Sequence, residues 1–386
     1  MSAGDPSGDR LGAALLEGLR GRGANVEASG LGGPALRAAG LRIVAPMESV
    51  AVMGFADVIR HLPAIQRTRA ALTRLLHASP DAIFLPIDSP GLNLGLATAA
   101  RRLGRRVVYY VCPQIWAWGY GRIARLRRDV DLMLLLFRFE EELMRREGIP
   151  AKWVGHPAGA LAPDPARREA ARSALGIAPA ERLVALLPGS RRGEVARHLA
   201  PMLDAAARLV NHGERGIRVA VSDAGSVGDI SPRGEVGSLW RLVQPILHRG
   251  SSEDLLRAAD LALVASGTAT LETAALGVPM VIVYKTSSIN YAIARRVVRL
   301  PRIGLANIVA ETDAAPERIQ GEATGAFIAS AAAVLLEDPD ARERQRAAFA
   351  SLGERLGGAG SSERAADAVL EFAAAKQAAP VPIPVG

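Results

Sequence analysis

The segment from Leu261 to Glu272 reads as an apolar strand, a sharp turn and the start of a helix. The strand covers Leu261–Ala265, and Glu272 comes four residues after Thr268, so both side chains share one helix face. Such a turn offers backbone N–H groups, hydroxyls and the positive end of a helix dipole, which together suit a diphosphate. The carboxylate can accept hydrogen bonds from a ribose diol. An ordinary strand–turn–helix of an α/β core is the alternative interpretation of this segment.

Apolar strands alternate with amphipathic helices along the rest of the chain. We predict strands over 82–87, 107–111, 131–137, 183–187, 219–221, 261–265 and 280–284, and helices over 64–78, 92–103, 167–175 and 194–210. This alternation is typical of parallel sheets covered by helices on both faces. The 386 residues suffice for two such domains, with a crossover from Gly155-His156-Pro157 to Pro165. We therefore expect an α/β protein whose ligands bind at the carboxyl ends of the strands, in a cleft between the domains.

Composition limits the classes of function. The single cysteine, Cys112, excludes an internal disulfide and a cysteine-based metal site. The start of the sequence has no signal-peptide pattern and no window reaches about twenty uninterrupted apolar residues, so a cytoplasmic location is expected. The net charge of +8 permits nucleic acid, an anionic membrane or a phosphorylated substrate, or simply an arginine-rich surface. An aromatic content of 4% and the lack of a recognition motif argue against nucleic acid.

Two turns that follow predicted strands carry side chains that could take part in catalysis or in phosphate binding. Asp88 follows the strand over 82–87, where a carboxylate in a cleft can act as a general base. The alternative is that Asp88 or Ser89 caps the next helix, with Pro90 at the first helical position. The run Pro188-Gly189-Ser190-Arg191 enters a helix, and its amides, the Ser190 hydroxyl and the Arg191 guanidinium could bind phosphate. A capped helix with exposed arginines is the alternative.

The remaining candidate residues give weaker evidence for a functional site when each is considered alone. The glycine-rich opening over 3–12 contains Asp5 and Ser7, and could let a substrate approach the backbone. Gln114, Trp116 and Trp118 could line a sugar or acyl pocket, or the tryptophans could fill core. We find no His/Asp/Glu spacing that indicates a metal site, no Walker A motif and no complete G-x-G-x-x-G signature.

The order of these motifs resembles that of the lipid-A-disaccharide synthase family. The resemblance covers roughly residues 3 to 372 and rests on these runs: Gly4-Asp5-Pro6-Ser7-Gly8-Asp9, Gly30-Leu31-Gly32-Gly33-Pro34, Met47-Glu48, Ala51-Val52-Met53-Gly54, Ile87-Asp88-Ser89-Pro90 with Asn93, Pro113-Gln114-Ile115-Trp116-Ala117-Trp118, Gly155-His156-Pro157, Leu187-Pro188-Gly189-Ser190-Arg191 with Glu194, Ala265 through Glu272, and Asn307. The Trp-Ala-Trp and Ala-Val-Met-Gly runs are its specific parts. Ser-Gly-Thr-x-x-x-Glu is shared more widely among nucleotide-sugar enzymes.

The resemblance implies a GT-B fold, with two Rossmann-like parallel-sheet domains facing across a cleft. It implies an inverting, metal-independent hexosyltransferase without a cofactor, which joins UDP-2,3-diacylglucosamine to 2,3-diacylglucosamine 1-phosphate (lipid X). The products are the β-1,6 lipid A disaccharide 1-phosphate and UDP.

The residue roles that it implies are divided between the substrates. Asp88 is the candidate base for the acceptor 6-hydroxyl. The candidate donor-site residues are Ser190, Arg191, Ser266, Gly267, Thr268, Glu272, which would hold the ribose, and Asn307. The candidate acceptor-site residues are Asp5, Ser7, Gln114, Trp116 and Trp118.

Because the substrates that the resemblance implies are acylated, we expect the enzyme to act at a membrane surface, on the cytoplasmic face of the inner membrane. The apolar stretch containing Val52, Met53 and Phe55 could dip into the bilayer while nearby arginines meet anionic headgroups. A buried loop or helix start is the alternative.

The sequence departs from the family pattern at several positions. The family has an apolar strand before the glycine-rich opening, where this sequence has Met1-Ser2; we expect a truncated or misassigned start, because that strand is usually central. The other departures are Asp5 for Glu, Gly119 for Arg, Ala160 for Asp, and Glu311-Thr312 for a Gly-Arg segment.

We expect an acceptor domain over 1–160 and a UDP-sugar donor domain over 161–340. Helices over 341–375 are expected to pack back on the first domain, and 376–386 forms a loose tail. The alternatives are another GT-B UDP-sugar transferase or epimerase, an inactive remnant of the family, and a basic nucleic-acid-binding protein.

Overall fold

The structure of the protein is a computed structural model, which describes residues 1–50, 55–117, 119–211, 216–223, 234–287, 291 and 301–375, with the backbone alone over 55–61. The chain divides into two compact units, Met1–Gly155 with Gly360–Gly386, and His156–Ala359. None of the helices within the described ranges is both long and apolar enough to cross a membrane.

The first unit is built on a seven-stranded parallel sheet in the order β3-β2-β1-β4-β5-β6-β7. Its strands are β1 Ser2–Ala3, β2 Ser29–Gly32, β3 Arg42–Pro46, β4 Pro86–Ile87, β5 Val108–Tyr110, β6 Leu132–Leu135 and β7 Ala151–Trp153. Its helices are α1 Pro6–Gly21, α2 Pro34–Ala38, α3 Phe55–Ala78, α4 Pro90–Arg102, α5 Ile123–Asp129 and α6 Phe139–Arg146, with short 3-10 helices at Met47–Ser49 and Tyr120–Arg122.

The second unit is built on a six-stranded parallel sheet in the order β10-β9-β8-β11-β12-β13. Its strands are β8 Arg182–Leu187, β9 Ile217–Ser222, β10 Ile246–His248, β11 Leu261–Ala265, β12 Met280–Tyr284 and β13 Glu317–Ile319. Its helices are α7 Pro165–Ala174, α8 Arg192–Asn211, α9 Gly234–Val243, α10 Ser252–Ala258, α11 Ala269–Ala275, α12 Leu305–Ala310, α13 Gly325–Glu337, α14 Pro339–Phe349 and α15 Leu352–Arg355, with a 3-10 helix at Pro157–Ala160.

The last described helix, α16 (Ser361–Ala374), belongs to the first unit. It packs closely on α1 at Gly18, where a Cβ would lie 3.2 Å from the Ser362 carbonyl oxygen, a tight contact that the glycine avoids. Arg106 donates from Nη1 to the Phe372 carbonyl at 2.9 Å, and Lys152 pairs with Glu371 at 2.7 Å. The change from one unit to the other falls at Gly155/His156, and the return falls at Gly360.

The strands β11 and β12 occupy the bounds that their apolar runs predict, and β11 is buried along its whole length. Central strands of a parallel sheet are covered on both faces, which is why they read as continuous hydrophobic runs. The strand predicted over 82–87 is shorter, because only Pro86–Ile87 forms the ladder and Phe84 makes an isolated bridge to Val107. Its neighbour β1 offers only Ser2–Ala3 for pairing.

Beside the amino end of β1 lies a cavity of about 380 Å³ in the first unit. Apolar side chains of α1, α3, α16 and the segment before β4 line it, among them Leu16, Leu76, Phe84 and Val369. The buried Met1 ammonium donates to the Ser29 carbonyl at 2.8 Å, and burial lowers its pKa to about 6. The ladder between β1 and β4 has two residue pairs, and is therefore shorter than the ladder between β8 and β11 in the second sheet, which has four.

Candidate active site

The turn after β8 and the turn after β11 emerge at the same sheet edge, because the two strands are parallel neighbours. The first turn carries Ser190 and Arg191, and the second carries Ser266, Gly267 and Thr268. These residues come from positions about eighty apart in the chain, and the sheet brings them to one edge of the second unit.

The turn after β8 already holds an anionic group of its own. The backbone amides of Ser190 and Arg191 donate to Glu194 Oε2 at 3.1 and 3.3 Å, and Arg191 Nη1 donates to Glu194 Oε1 at 3.2 Å. Gly189 has φ 116° and a Cβ there would lie 2.6 Å from Glu194 Oε2, so only glycine permits this approach. The turn therefore has the geometry of an anion-binding loop, with a carboxylate of the next helix as its ligand.

The turn after β11 is stabilised by side chains. Ser266 Oγ donates to the Ile303 carbonyl at 2.8 Å, and Thr270 Oγ1 donates to the Gly267 carbonyl at 2.7 Å. No described atom lies within 4 Å of a Cβ built on Gly267, so this side of the turn is open. The first amides of α11 have no intrahelical partner, as at any helix start.

Glu272 lies in the first turn of α11, on the face of Thr268 that the sequence predicts, and its amide donates to the Thr268 carbonyl at 3.3 Å. Its Oε2 accepts a hydrogen bond from Ser252 Oγ at 2.8 Å. Ser252 is the first residue of α10, so the Glu272 carboxylate is held by a side chain at the start of a second helix. The Ser-Ser-Glu-Asp run that contains Ser252 is a helix-start signal in the sequence, but nothing in that run indicates a contact with Glu272.

Asn307 is buried on α12, and its amide group is fully used inside the second unit. Its Nδ2 donates to the Ala315 carbonyl at 2.8 Å and to Glu317 Oε1 at 2.9 Å, and its Oδ1 accepts from the Ala315 amide at 3.1 Å. These contacts hold the segment after α12, and a donor contact by Nδ2 would have to replace one of them. Its place at the donor site stays a prediction.

In the first unit, Asp88 directly follows β4 and has φ 45°, and the next residue, Ser89, has φ 47°. The Asp88 carbonyl accepts hydrogen bonds from Asn93 Nδ2 and from the Tyr109 hydroxyl, each at 2.8 Å. The Asp88 amide donates to the Tyr110 carbonyl at 2.9 Å. These bonds hold a left-handed backbone that non-glycine residues rarely adopt, and such conformations cluster at functional sites.

The glycine-rich opening contacts this turn directly. Asp5 is the N-cap of α1, with Oδ1 accepting from the Gly8 amide at 2.9 Å, and its Oδ2 accepts from Ser89 Oγ at 3.2 Å. A Cβ on Gly4 would lie 2.7 Å from Ser89 Oγ, so a side chain there would require the Ser89 side chain to move. The structure thus places Asp5 beside the candidate base, while Ser7 lies in the first turn of α1 and is half-buried.

Trp116 is fixed by a buried carboxyl group that no sequence motif indicates. Its Nε1 donates to Glu140 Oε1 at 3.0 Å, and the Phe137 amide donates to Glu140 Oε2 at 3.2 Å. Glu140 is 2% exposed, and burial raises its pKa to about 8. Gln114 is exposed at the start of the same loop. The loop follows β5, whose next residue, Val111, has φ 73°.

Three other predicted site residues are not placed. Trp118, Val52 and Met53 lie outside the described residues, and Phe55 is the first residue of α3, where only the backbone is described. Among the residues that the structure does describe, no group of three or more His, Cys, Asp or Glu side chains is arranged to hold a metal ion.

Comparison with known proteins identifies close relatives over nearly the whole chain. The family model for lipid-A-disaccharide synthetase matches residues 1–372. The lipid-A-disaccharide synthase of Geobacter metallireducens is 38% identical over 378 residues, covering 97% of each chain. That of Pseudomonas aeruginosa strain UCBPP-PA14 is 38% identical over 376 residues, covering 96% of this chain and 97% of its own.

Solved structures of sugar-nucleotide enzymes share the fold at low sequence identity. HepE of Anabaena in complex with UDP-glucose matches with a TM-score of 0.57 and 13% identity, covering 96% of this chain and 98% of its own. The UDP-GlcNAc 2-epimerase of Neisseria meningitidis bound to UDP-GlcNAc matches with a TM-score of 0.62 and 13% identity, covering 95% of this chain and 97% of its own. The predicted α/β fold class with two parallel sheets is confirmed. The family match over 1–372 and the identity to its curated members show that this chain belongs to the lipid-A-disaccharide synthetase family.

Proposed function

We propose that the protein joins UDP-2,3-diacylglucosamine to lipid X, forming the β-1,6 lipid A disaccharide 1-phosphate and UDP. The observation that carries this proposal is the family match over residues 1–372, supported by about 38% identity to named lipid-A-disaccharide synthases. The two sheets and the turns at their carboxyl ends supply groups suited to a sugar donor and to a hydroxyl acceptor.

In the proposed chemistry the Asp88 carboxylate takes the proton of the acceptor 6-hydroxyl. The oxygen then attacks the anomeric carbon of the donor, a new C–O bond forms on the face opposite the old one, and the bond to the diphosphate breaks with its electron pair leaving on UDP. Proton removal by a positioned carboxylate typically accelerates such a step by about 10²–10⁴-fold. The fixed backbone of Asp88 supports this role, because a base must lie within hydrogen-bond reach of the hydroxyl.

The negative charge that develops on UDP needs compensation. We assign it to Arg191, to the Ser190 and Ser266 hydroxyls and to the amides of Gly267 and Thr268, with Glu272 on the ribose. A diphosphate would compete with the Glu194 carboxylate for the amides of Ser190 and Arg191. This assignment uses no metal ion and no cofactor, so we expect the rate to be unchanged by EDTA.

Both substrates carry acyl chains, so we propose that the protein acts as a peripheral protein on the cytoplasmic face of the inner membrane. The described part of α3 presents exposed Leu62, Arg67 and Arg69, an apolar and cationic combination that suits anionic headgroups. We expect the double substitution Val52→Asp with Phe55→Asp to weaken binding to anionic liposomes while UDP binding stays intact. Unchanged liposome binding would contradict this part of the proposal.

The decisive experiment measures UDP release from UDP-2,3-diacylglucosamine in detergent micelles, with and without lipid X. Release that requires lipid X is expected. UDP release without an acceptor, or epimerisation of the donor, would instead favour another sugar-nucleotide activity. Binding of UDP without any turnover would favour an inactive member of the family.

A further inference from the structure

His198 lies on α8, in the second unit, and is 1% exposed. Its Nδ1 lies 2.9 Å from the Pro188 carbonyl oxygen, and its Nε2 lies 2.9 Å from the Lys285 amide nitrogen. Both partners are backbone groups at strand ends, since Pro188 follows β8 and Lys285 follows β12. One imidazole therefore bridges two loops at the edge that carries the candidate donor site.

The backbone partners determine the tautomer of the ring. The Lys285 N–H can only donate, so Nε2 must carry a lone pair, and the Pro188 carbonyl can only accept, so Nδ1 must carry the hydrogen. The bridge therefore exists only with neutral His198. Burial lowers the pKa of this imidazole, against the opposing influence of Glu194, while Arg197 on the same helix acts with burial. From β12 the ring of Tyr284 faces it, with centroids 6.2 Å apart.

The bridge joins strands that are not neighbours. In the sheet order β8-β11-β12 the turn 266–268 emerges between the two loops that His198 connects. Strands two positions apart are separated by roughly 10 Å, so β8 and β12 do not pair with each other in the sheet. The imidazole on α8 spans this gap, which fixes the loop after β8 relative to the loop after β12.

Glu194 precedes His198 by four residues, so both project from one face of α8. Glu194 binds the amides of Ser190 and Arg191 within the loop after β8. His198 binds the same loop at Pro188 and attaches it to the neighbouring segment. Glu194 thus fixes the shape of the loop, and His198 fixes its position.

We infer that His198 is a positioning residue of the donor site, which holds the loop carrying Ser190 and Arg191 where the diphosphate of the donor binds. This inference rests on the proposed function, because it takes that edge as the UDP site. A histidine that only filled the core would affect stability and leave affinity for UDP unchanged.

The test compares His198→Leu, which removes both hydrogen bonds, with His198→Gln, whose side-chain oxygen can still accept from the Lys285 amide. The matched control is His156→Asn. His156 is the other deeply buried histidine of the described part of this unit, and its Nδ1 accepts from the Ala158 amide at 3.0 Å to cap the 3-10 helix Pro157–Ala160. The readouts are the Kd of UDP by calorimetry, the KM of each substrate and the melting temperature.

We expect His198→Leu to raise the Kd of UDP and the KM of the donor by about tenfold, which is the loss of roughly one well-placed hydrogen bond, with the KM of lipid X unchanged. His198→Gln should recover part of that affinity, and it carries the test if the leucine variant does not fold. His156→Asn should leave the Kd of UDP at its original value.

A His198→Leu protein that melts earlier but binds UDP as the unsubstituted protein does would overturn the inference alone. So would an equal loss of UDP affinity in His156→Asn, because the effect would then be general destabilisation. If the unsubstituted protein binds no UDP, the proposed donor site itself is wrong, and the inference is wrong with it.

Discussion

The two candidate sites are built by different means. In the first unit the turns after β4 and β5 contain three non-glycine residues with positive φ, Asp88, Ser89 and Val111. In the second unit, within 188–191 and 266–268, all of which the structure describes, the only positive φ belongs to Gly189. The first site is strained and locked by side-chain hydrogen bonds, whereas the second adopts its conformation at low backbone cost.

The difference matches what each site is proposed to do. A left-handed conformation at a non-glycine residue costs of order 1–3 kcal/mol, most of all at a β-branched residue such as Val111, and persists only where surrounding contacts enforce it. Asn93 and Tyr109 enforce it at Asp88, whose carboxylate must meet one hydroxyl. A diphosphate is bound by several amides and cations together, so glycine and a helix start suffice.

The largest effect is expected at the candidate base. Asp88→Asn should lower kcat by about 10²–10⁴-fold, because the amide cannot take the acceptor proton. The Kd of UDP should be unchanged, since every donor-site residue that we assign lies in the second unit. Turnover close to normal in single-turnover measurements would show that Asp88 is not the base.

The buried carboxyl under Trp116 gives a pH dependence of stability. Burial raises the pKa of Glu140 to about 8, so in the folded state it keeps its proton where the unfolded chain has lost it. Its contribution to stability is complete below pH 4.5, the pKa of the unfolded state, and is lost as the pH rises to about 8.

Relative to Glu140→Gln, the unsubstituted protein should therefore lose a few kcal/mol of unfolding free energy between pH 4.5 and about 8. Urea unfolding followed by tryptophan fluorescence measures this difference. Glu142→Gln, at an exposed position of the same helix, is the control and should show no such trend. Parallel curves for the Glu140→Gln variant and the unsubstituted protein would remove Glu140 as the cause.

At the second site Arg191→Ala should raise the KM of the donor by about 10- to 100-fold, since a charge-assisted hydrogen bond contributes roughly 1.5–3 kcal/mol. The Arg191 side chain is 42% exposed, so the melting temperature should change little. Arg192→Ala, one residue further, is the matched control. Equal effects of the two substitutions would mean that only general positive charge matters there.

A smaller effect is expected from Tyr109→Phe, which removes one of the two side-chain hydrogen bonds to the Asp88 carbonyl. We expect kcat to fall by about 3- to 10-fold, with about 1 kcal/mol lost in stability, because Asn93 still holds the turn. The KM of the donor should not move. A drop as large as that of Asp88→Asn would mean that Tyr109 touches substrate rather than positioning the base.

Sequence patterns predicted what depends on local periodicity. The continuous apolar runs gave β11 and β12 their bounds, and the polar residues after strands pointed to Asp88 and to the turn after β8. Glu140 could not be found in this way, because Glu140-Glu141-Glu142 looks like an ordinary acidic helix start and only tertiary packing selects one of the three for burial. His198 was missed for a similar reason: its partners lie 10 and 87 residues away.

The first sheet is joined near its centre by β1, which at two residues is as short as its neighbour β4 and shorter than the other strands of the sheet. In the strand ladders of the described residues, Ser2 and Ala3 alone connect the β2–β3 side to the strands from β4 to β7. The shortest ladders of this sheet therefore run through its middle, with one register pair in β1–β2 and one in β4–β5, against three in β5–β6. The two halves can therefore behave as separate cooperative units during partial unfolding. Amide exchange should register this as early loss of protection at Ser2 and Leu31, whose acceptors are the Leu85 and Met1 carbonyls, while β5 and β6 stay protected.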